Sequence, residues 1–134
     1  MSYSETVRWK IYLINQFFRE QNRDYLLSPK WKRLKDSDNA MEGHCYIAAE
    51  ALWHMTDKKL KPKCASYQED GEKKTHWWLE NDYGEIFDPS AEQYLPDFPP
   101  YNLGRGCGFL TIEPSKRAVS VIQGAWNGNQ YLSF

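Results

Sequence analysis

The sequence predicts an α+β fold, with a small antiparallel sheet, one helix packed on it and further helices flanking that core. Two observations carry the expectation. Apolar residues recur at helical spacing over 3–23, again from Gly43 to Thr56, and again over 114–124. Between the last two lies the strand-favouring run His76-Trp77-Trp78-Leu79, answered after Asp82-Tyr83-Gly84 by Glu85-Ile86-Phe87-Asp88. At 134 residues, 41% hydrophobic and 16% aromatic, the chain is expected to form one domain burying about two-thirds of its unfolded surface.

In the first helix Val7, Ile11, Ile14 and Phe18 form the apolar stripe, flanked by Tyr3 and Phe17, and Ser2 with Glu5 fits a capping box. The pattern breaks from Asn22 to Glu42, where Lys30, Lys32, Arg33 and Lys35 surround Trp31. That mixture can stack a base and hold phosphate, but the acidic residues that follow at once favour a solvated loop with one buried Trp. Gly43-His44-Cys45 opens the second helix, with Tyr46, Ala49, Leu52 and Trp53 on one face. Lys63–Tyr67 reads as a strand and Glu69-Asp70-Gly71-Glu72 as a turn into the hairpin. Pro89 stops the returning strand, and 91–94 suit a short helical turn. Residues 96–108, rich in Pro and Gly, read as a loop able to lie over a cleft. Pro114 sits near the start of the last helix, whose stripe is Ala118, Val121, Ile122 and Ala125 and which Gly124 or Gly128 would close. The tail 131–134 is expected to dock.

A net charge of −1 supplies no global attraction to nucleic acid or anionic lipid. No apolar run reaches the ~18 residues that span a bilayer. Three cysteines, an odd number with no leader ahead of them, suggest free thiols in a reducing cytoplasm.

The chemistry concentrates in three residues. Leu79 facing Glu85 would set His76 opposite Asp88, on one face of the hairpin with Cβ atoms ~5 Å apart, a spacing that suits a carboxylate accepting from an imidazole. Cys45 falls in the first turn of a helix, where unpaired N–H groups favour a thiolate. A Cys, a His and an Asp so placed are the parts of a thiol acyl-transfer site. Cys45 attacks a carbonyl carbon, His76 takes and returns the proton, and Asp88 fixes the tautomer. The Cys45 backbone N–H would donate to the oxyanion, with Asn39 or Gln93 as candidate second donors. Gly43, which lets a substrate backbone approach, His44 and Trp78 complete the residues expected to contact substrate. No cofactor or metal is expected, since Cys45, His54, Cys64, His76 and Cys107 lack the close spacing of zinc ligands.

Gly43-His44-Cys45-Tyr46 with Ala48-Ala49-Glu50-Ala51-Leu52 resembles the nucleophile helix of the transglutaminase-like branch of the papain-fold cysteine enzymes. His76-Trp77-Trp78-Leu79-Glu80 and Asp88-Pro89-Ser90 resemble its His and Asp strands, in the same chain order. Small phage-encoded proteins of unassigned function with GxCY, HWWL and DPxAEQ segments look similar over residues 42–93. The resemblance implies a papain-like core, a Cys45–His76–Asp88 triad and a peptide or protein substrate, possessed by the host if the chain is phage-encoded. That superfamily holds peptidases, amidases, acyltransferases and crosslinking enzymes, so hydrolysis of a peptide or amide bond is the simplest expectation. The alternative is a binding module that keeps the triad without using it, in which segment 30–35 and Lys58, Lys59, Lys61 and Lys63 would meet a host protein or nucleic acid.

Overall fold

Asp70 and Gly71, both at positive φ, make a tight turn. They join β1 (Lys61–Glu69) to β2 (Glu72–Glu80) as a two-residue hairpin paired from Lys61 with Glu80 to Glu69 with Glu72. The computed structural model describes residues 2–20, 23–34, 43–94 and 97–130. It is an α+β structure whose antiparallel sheet runs β3-β2-β1-β4, with β3 (Ile86–Phe87) and β4 (Arg105–Gly106) as short edges. Among the described residues four α-helices accompany it, α1 (Tyr3–Glu20), α2 (Pro29–Leu34), α3 (Cys45–Met55) and α4 (Lys116–Gln130). No helix among the described residues is long and apolar enough to cross a membrane.

α3 is the centre of the core. Ile47, Ala48, Ala49, Ala51 and Leu52 are all buried, because the helix touches β2 on one side and both α1 and α4 on others. An enclosed helix must be apolar nearly all round. Its one buried charge, Glu50, accepts from the Ser115 amide at 2.7 Å and the Ser115 hydroxyl at 2.9 Å, while Ser115 Oγ accepts from Ala118 N–H as the cap of α4. α1 is capped as its sequence suggests, with Glu5 N–H donating to Ser2 Oγ. Arg23 lies outside it, and it buries Leu13 and Phe17 alongside Val7, Ile14 and Phe18.

Several expectations need correction. Gly124 does not close α4, which runs on to Gln130. A Cβ at Gly124 would stand 2.2 Å from Phe17 Cδ2, so the glycine is there to let α1 and α4 approach. Gly124→Ala gains up to ~1 kcal/mol of helix propensity but must displace a buried ring, at about 1–3 kcal/mol. The expected net result is a lower urea midpoint, partly restored by adding Phe17→Leu. Unchanged or higher stability would mean that the ring moves freely. Residues 22–42 are not wholly irregular, since a 3₁₀ turn at Asp24–Leu26 and α2 lie within them. Their register as short helices is too brief for periodicity to show. The expected docking of 131–134 lies outside the described residues.

The hairpin register is also offset. Leu79 pairs with Phe87 and Glu80 with Ile86, so His76 is not directly opposite Asp88. Asn81 drives the shift, because its Oδ1 accepts from Tyr83 N–H and Glu85 N–H, both at 2.9 Å, and wraps a longer turn around itself. An even offset keeps every side chain on its face. His76 and Asp88 thus remain on one side of the sheet, as diagonal neighbours.

The expectation of three free thiols fails as well. Cys64 and Cys107 are disulfide-bonded, with Cα atoms 6.0 Å apart, and Cys45 is the free cysteine. β4 brings the two together by pairing Arg105 beside Cys64, and Cys107 N–H donates to the Pro62 carbonyl at 3.2 Å. Forty-three residues separate them, so nothing local in the sequence announced the pairing.

Candidate active site

Gly43, at φ +85°, turns the chain into α3, and Cys45 is the first residue of that helix. The first bond back along the helix comes from Ala48 N–H to His44 C=O at 2.9 Å, leaving the earlier amides of the turn without intrahelical acceptors. The Cys45 side chain is 4% exposed, and its Sγ donates to the Thr75 carbonyl on β2 at 3.4 Å. That bond sets the thiol against the residue preceding His76.

His76 projects from β2 into a wholly buried position. Its Nε2 lies 2.6 Å from Asp88 Oδ2. Trp78 stacks on the ring at 5.6 Å and Tyr94 meets it edge-on at 4.8 Å, which fixes the imidazole plane. Burial pushes the His76 pKa down, but hydrogen bonds to Asp88 and Cys45 and the charges of both prevail and hold it up at about 9.

Asp88 directly follows β3, and its carboxylate is used at both oxygens. Oδ1 accepts from Ser90 N–H at 3.0 Å and Ser90 Oγ at 3.3 Å, and Oδ2 accepts from His76 and from the Tyr101 hydroxyl at 2.7 Å. Burial first, and then the Asp88 charge, raise the Tyr101 pKa, so that hydroxyl keeps its proton and donates. Tyr101 comes from a 3₁₀ turn, Tyr101–Leu103, inside the Pro- and Gly-rich segment. Gly104 follows, where a Cβ would lie 2.5 Å from Trp78 Cζ2. This close approach seats the segment against the aromatic wall of the site, and the Cys64–Cys107 bond anchors its far end.

The structure brings together Cys45, His76, Asp88 and Gln93. Gln93 Nε2 is 3.1 Å from His76 Nδ1, and Gln93 Oε1 accepts from Gly43 N–H at 3.3 Å. Gly43 itself is covered, since a Cβ there would meet Leu27 at 2.7 Å and Trp31 at 2.9 Å. His44 is buried with its ring 4.5 Å from that of Phe18 and its Nε2 3.9 Å from Asp24. Trp78 is buried too, donating from Nε1 to Glu80 at 2.9 Å. Both therefore support the site from behind. Asn39 lies outside the described residues. Beside these side chains opens a cleft of about 70 Å³ lined by Trp31, Tyr67, Glu69, Lys74, Gln93 and Tyr94.

Tyr101, Tyr94 and Tyr67 are the participants that the sequence did not single out. Tyr94 follows Gln93 directly and bonds Tyr67 hydroxyl to hydroxyl at 2.8 Å. Its pKa is raised by burial and by that bond, so it stays neutral over the imidazole. The available signal was a tyrosine beside Pro99-Pro100 in a segment already suspected of covering a cleft. Among the described residues no group of three or more His, Cys, Asp and Glu side chains is placed to hold a metal ion. No family model, no curated protein and no solved structure matches this chain.

Proposed function

We propose that this protein carries out thiol-dependent acyl chemistry on a peptide or amide bond, with Cys45 as nucleophile, His76 as proton carrier and Asp88 as its orienting carboxylate, on a papain-like, transglutaminase-like core. The observation that carries the reading is the buried His76–Asp88 contact at 2.6 Å beside a cysteine that heads a helix. A carboxylate sealed from water and holding one ring nitrogen leaves the other nitrogen for the thiol proton. Attack by the thiolate forms a C–S bond. The carbonyl oxygen takes the displaced electron pair within reach of the helix's first amides. The leaving nitrogen then departs with the proton from His76. Water completes hydrolysis, and an amine in its place would give transfer.

The test needs no substrate. Brief iodoacetamide treatment near pH 6 should alkylate Cys45 in the native protein, as mapped by peptide mass spectrometry. His76→Ala should slow that labelling at least about tenfold, because thiolate reactivity here depends on a neighbouring imidazolium. Labelling at the parental rate in the variant would show that His76 does not serve the thiol.

A second reading draws on a separate groove of about 700 Å³, lined by Trp53, Lys58, Lys59, Lys61, Lys63 and residues 106–108 among others. Such a surface suits an acidic partner protein, and the triad would then be idle. Loss of a biological effect in Cys45→Ala separates the two in favour of catalysis.

A further inference from the structure

Only one nitrogen of His76 faces Asp88, and the other is already engaged. Gly43 N–H can only donate, so the Gln93 oxygen must face it and the Gln93 NH₂ must face the ring. An NH₂ donates, so His76 Nδ1 is bare in this arrangement and the ring proton sits on Nε2, given to Asp88. Nδ1 is also the one lone pair on the ring able to receive the proton of Cys45, whose thiol is meanwhile turned to the Thr75 carbonyl. The Gln93 amide thus competes with Cys45 for Nδ1, against the pull of Asp88 and Cys45 that favours a protonated ring.

Resting on the triad reading, we propose that Gln93 gates the reaction: its amide occupies His76 Nδ1 at rest, yields it to the Cys45 proton, and then donates an N–H to the oxyanion of the substrate. When the proton passes from Cys45 Sγ to Nδ1, an N–H on the ring confronts an N–H of Gln93. The two donors repel, and the amide leaves the ring while its oxygen keeps the Gly43 bond. The thiolate forms the C–S bond as the carbonyl π pair moves to oxygen. That oxyanion accepts from the Cys45 backbone amide and from Gln93. On collapse the C–N bond breaks, the nitrogen takes the Nδ1 proton, and Gln93 returns to the bare ring.

The groups that face His76 are Cys45 from α3, Asp88 from just after β3, Tyr94 from the 3₁₀ turn Ala91–Tyr94, and Tyr101 from the following loop. Both tyrosines stay neutral, and Glu92 on the same turn as Gln93 is paired with Arg19. Cys45 and Asp88 are therefore the charges that draw a proton onto the ring, while burial and the Gln93 amide oppose it.

Three measurements on Gln93→Ala and Gln93→Glu test the gate. They are iodoacetamide alkylation of Cys45 near pH 6, the acylation burst with p-nitrophenyl acetate, and the His76 titration followed by ¹⁵N imidazole spectra. Alkylation forms no oxyanion and acylation does. Gln93→Ala should raise the His76 midpoint and speed alkylation, while slowing acylation about a hundredfold. Gln93→Glu keeps the side-chain length, accepts from Gly43 and from Nδ1–H, and should likewise raise the midpoint and slow acylation. A structural role alone would lower both rates together. That result, or two unchanged rates, overturns the gate. If instead His76→Ala leaves alkylation at the parental rate, the thiol–imidazole reading itself fails, whatever Gln93 does.

Discussion

Asp88→Asn should slow acylation of Cys45 by about three to four orders of magnitude, a loss of ~5 kcal/mol in transition-state stabilisation. The reason lies in how the carboxylate is satisfied. Ser90 N–H, Ser90 Oγ, Tyr101 Oη and His76 Nε2 all donate to it. An asparagine can present one oxygen and one NH₂ to these four donors. With the oxygen kept for the Ser90 amide, the NH₂ faces His76 and Tyr101. It then donates to Nε2 and drives the ring proton to Nδ1. In that tautomer the imidazole cannot take the thiol proton. The variant retains the shape of the site, so its circular dichroism and thermal midpoint should show a folded protein. Burst acylation by p-nitrophenyl acetate reads the rate. A rate within about threefold of the parent would reduce Asp88 to a cap for the turn at Pro89-Ser90.

The largest effect on stability should come from the cross-link. Replacing both partners, Cys64→Ser with Cys107→Ser, releases a closed loop of 43 residues, and the chain-entropy relation puts the cost at ~4 kcal/mol. That is a large share of the ~5–15 kcal/mol typical of a domain. Urea unfolding of the double variant against the oxidised parent measures it. A thiol count on the denatured, unreduced protein provides the companion check, with one expected before reduction and three after. A difference below about 1 kcal/mol, or three thiols at the outset, would show that the bond contributes nothing.

Some of this was legible in the residues themselves. Glu69-Asp70-Gly71-Glu72 read as a turn, because Asp and Gly tolerate left-handed backbone, but as a turn into the hairpin at 76–90 rather than the tip of one, and Gly43-His44-Cys45 read as the opening of a helix. The union of His76 and Asp88 on one face followed from strand alternation, which survives an even slip in register. The slip itself was hidden because Asn81 gathers two backbone amides on its own side chain, and no local rule weighs that against a turn at 82–84. The Cys64–Cys107 pair and the Tyr101 hydroxyl were hidden for a different reason. The disulfide joins segments 43 residues apart beside an edge strand of two residues, and Tyr101 reaches Asp88 from a three-residue 3₁₀ turn, both too short to leave a periodic trace. Glu50 read as one more member of an alanine-rich helix, and only packing shows that it is enclosed.

Glu50 also has a bearing on how the chain comes apart. The cap of α4 is supplied by Ser115, and Ser115 is held by a carboxylate that belongs to α3. Neither helix can fray at that point alone, because opening α4 would strand a negative charge inside the protein without its donors, and unwinding α3 would remove the brace from the start of α4. α3 and α4 are thereby bound into one cooperative unit. Cys45 inherits the rigidity of a segment that begins seventy residues further along the chain.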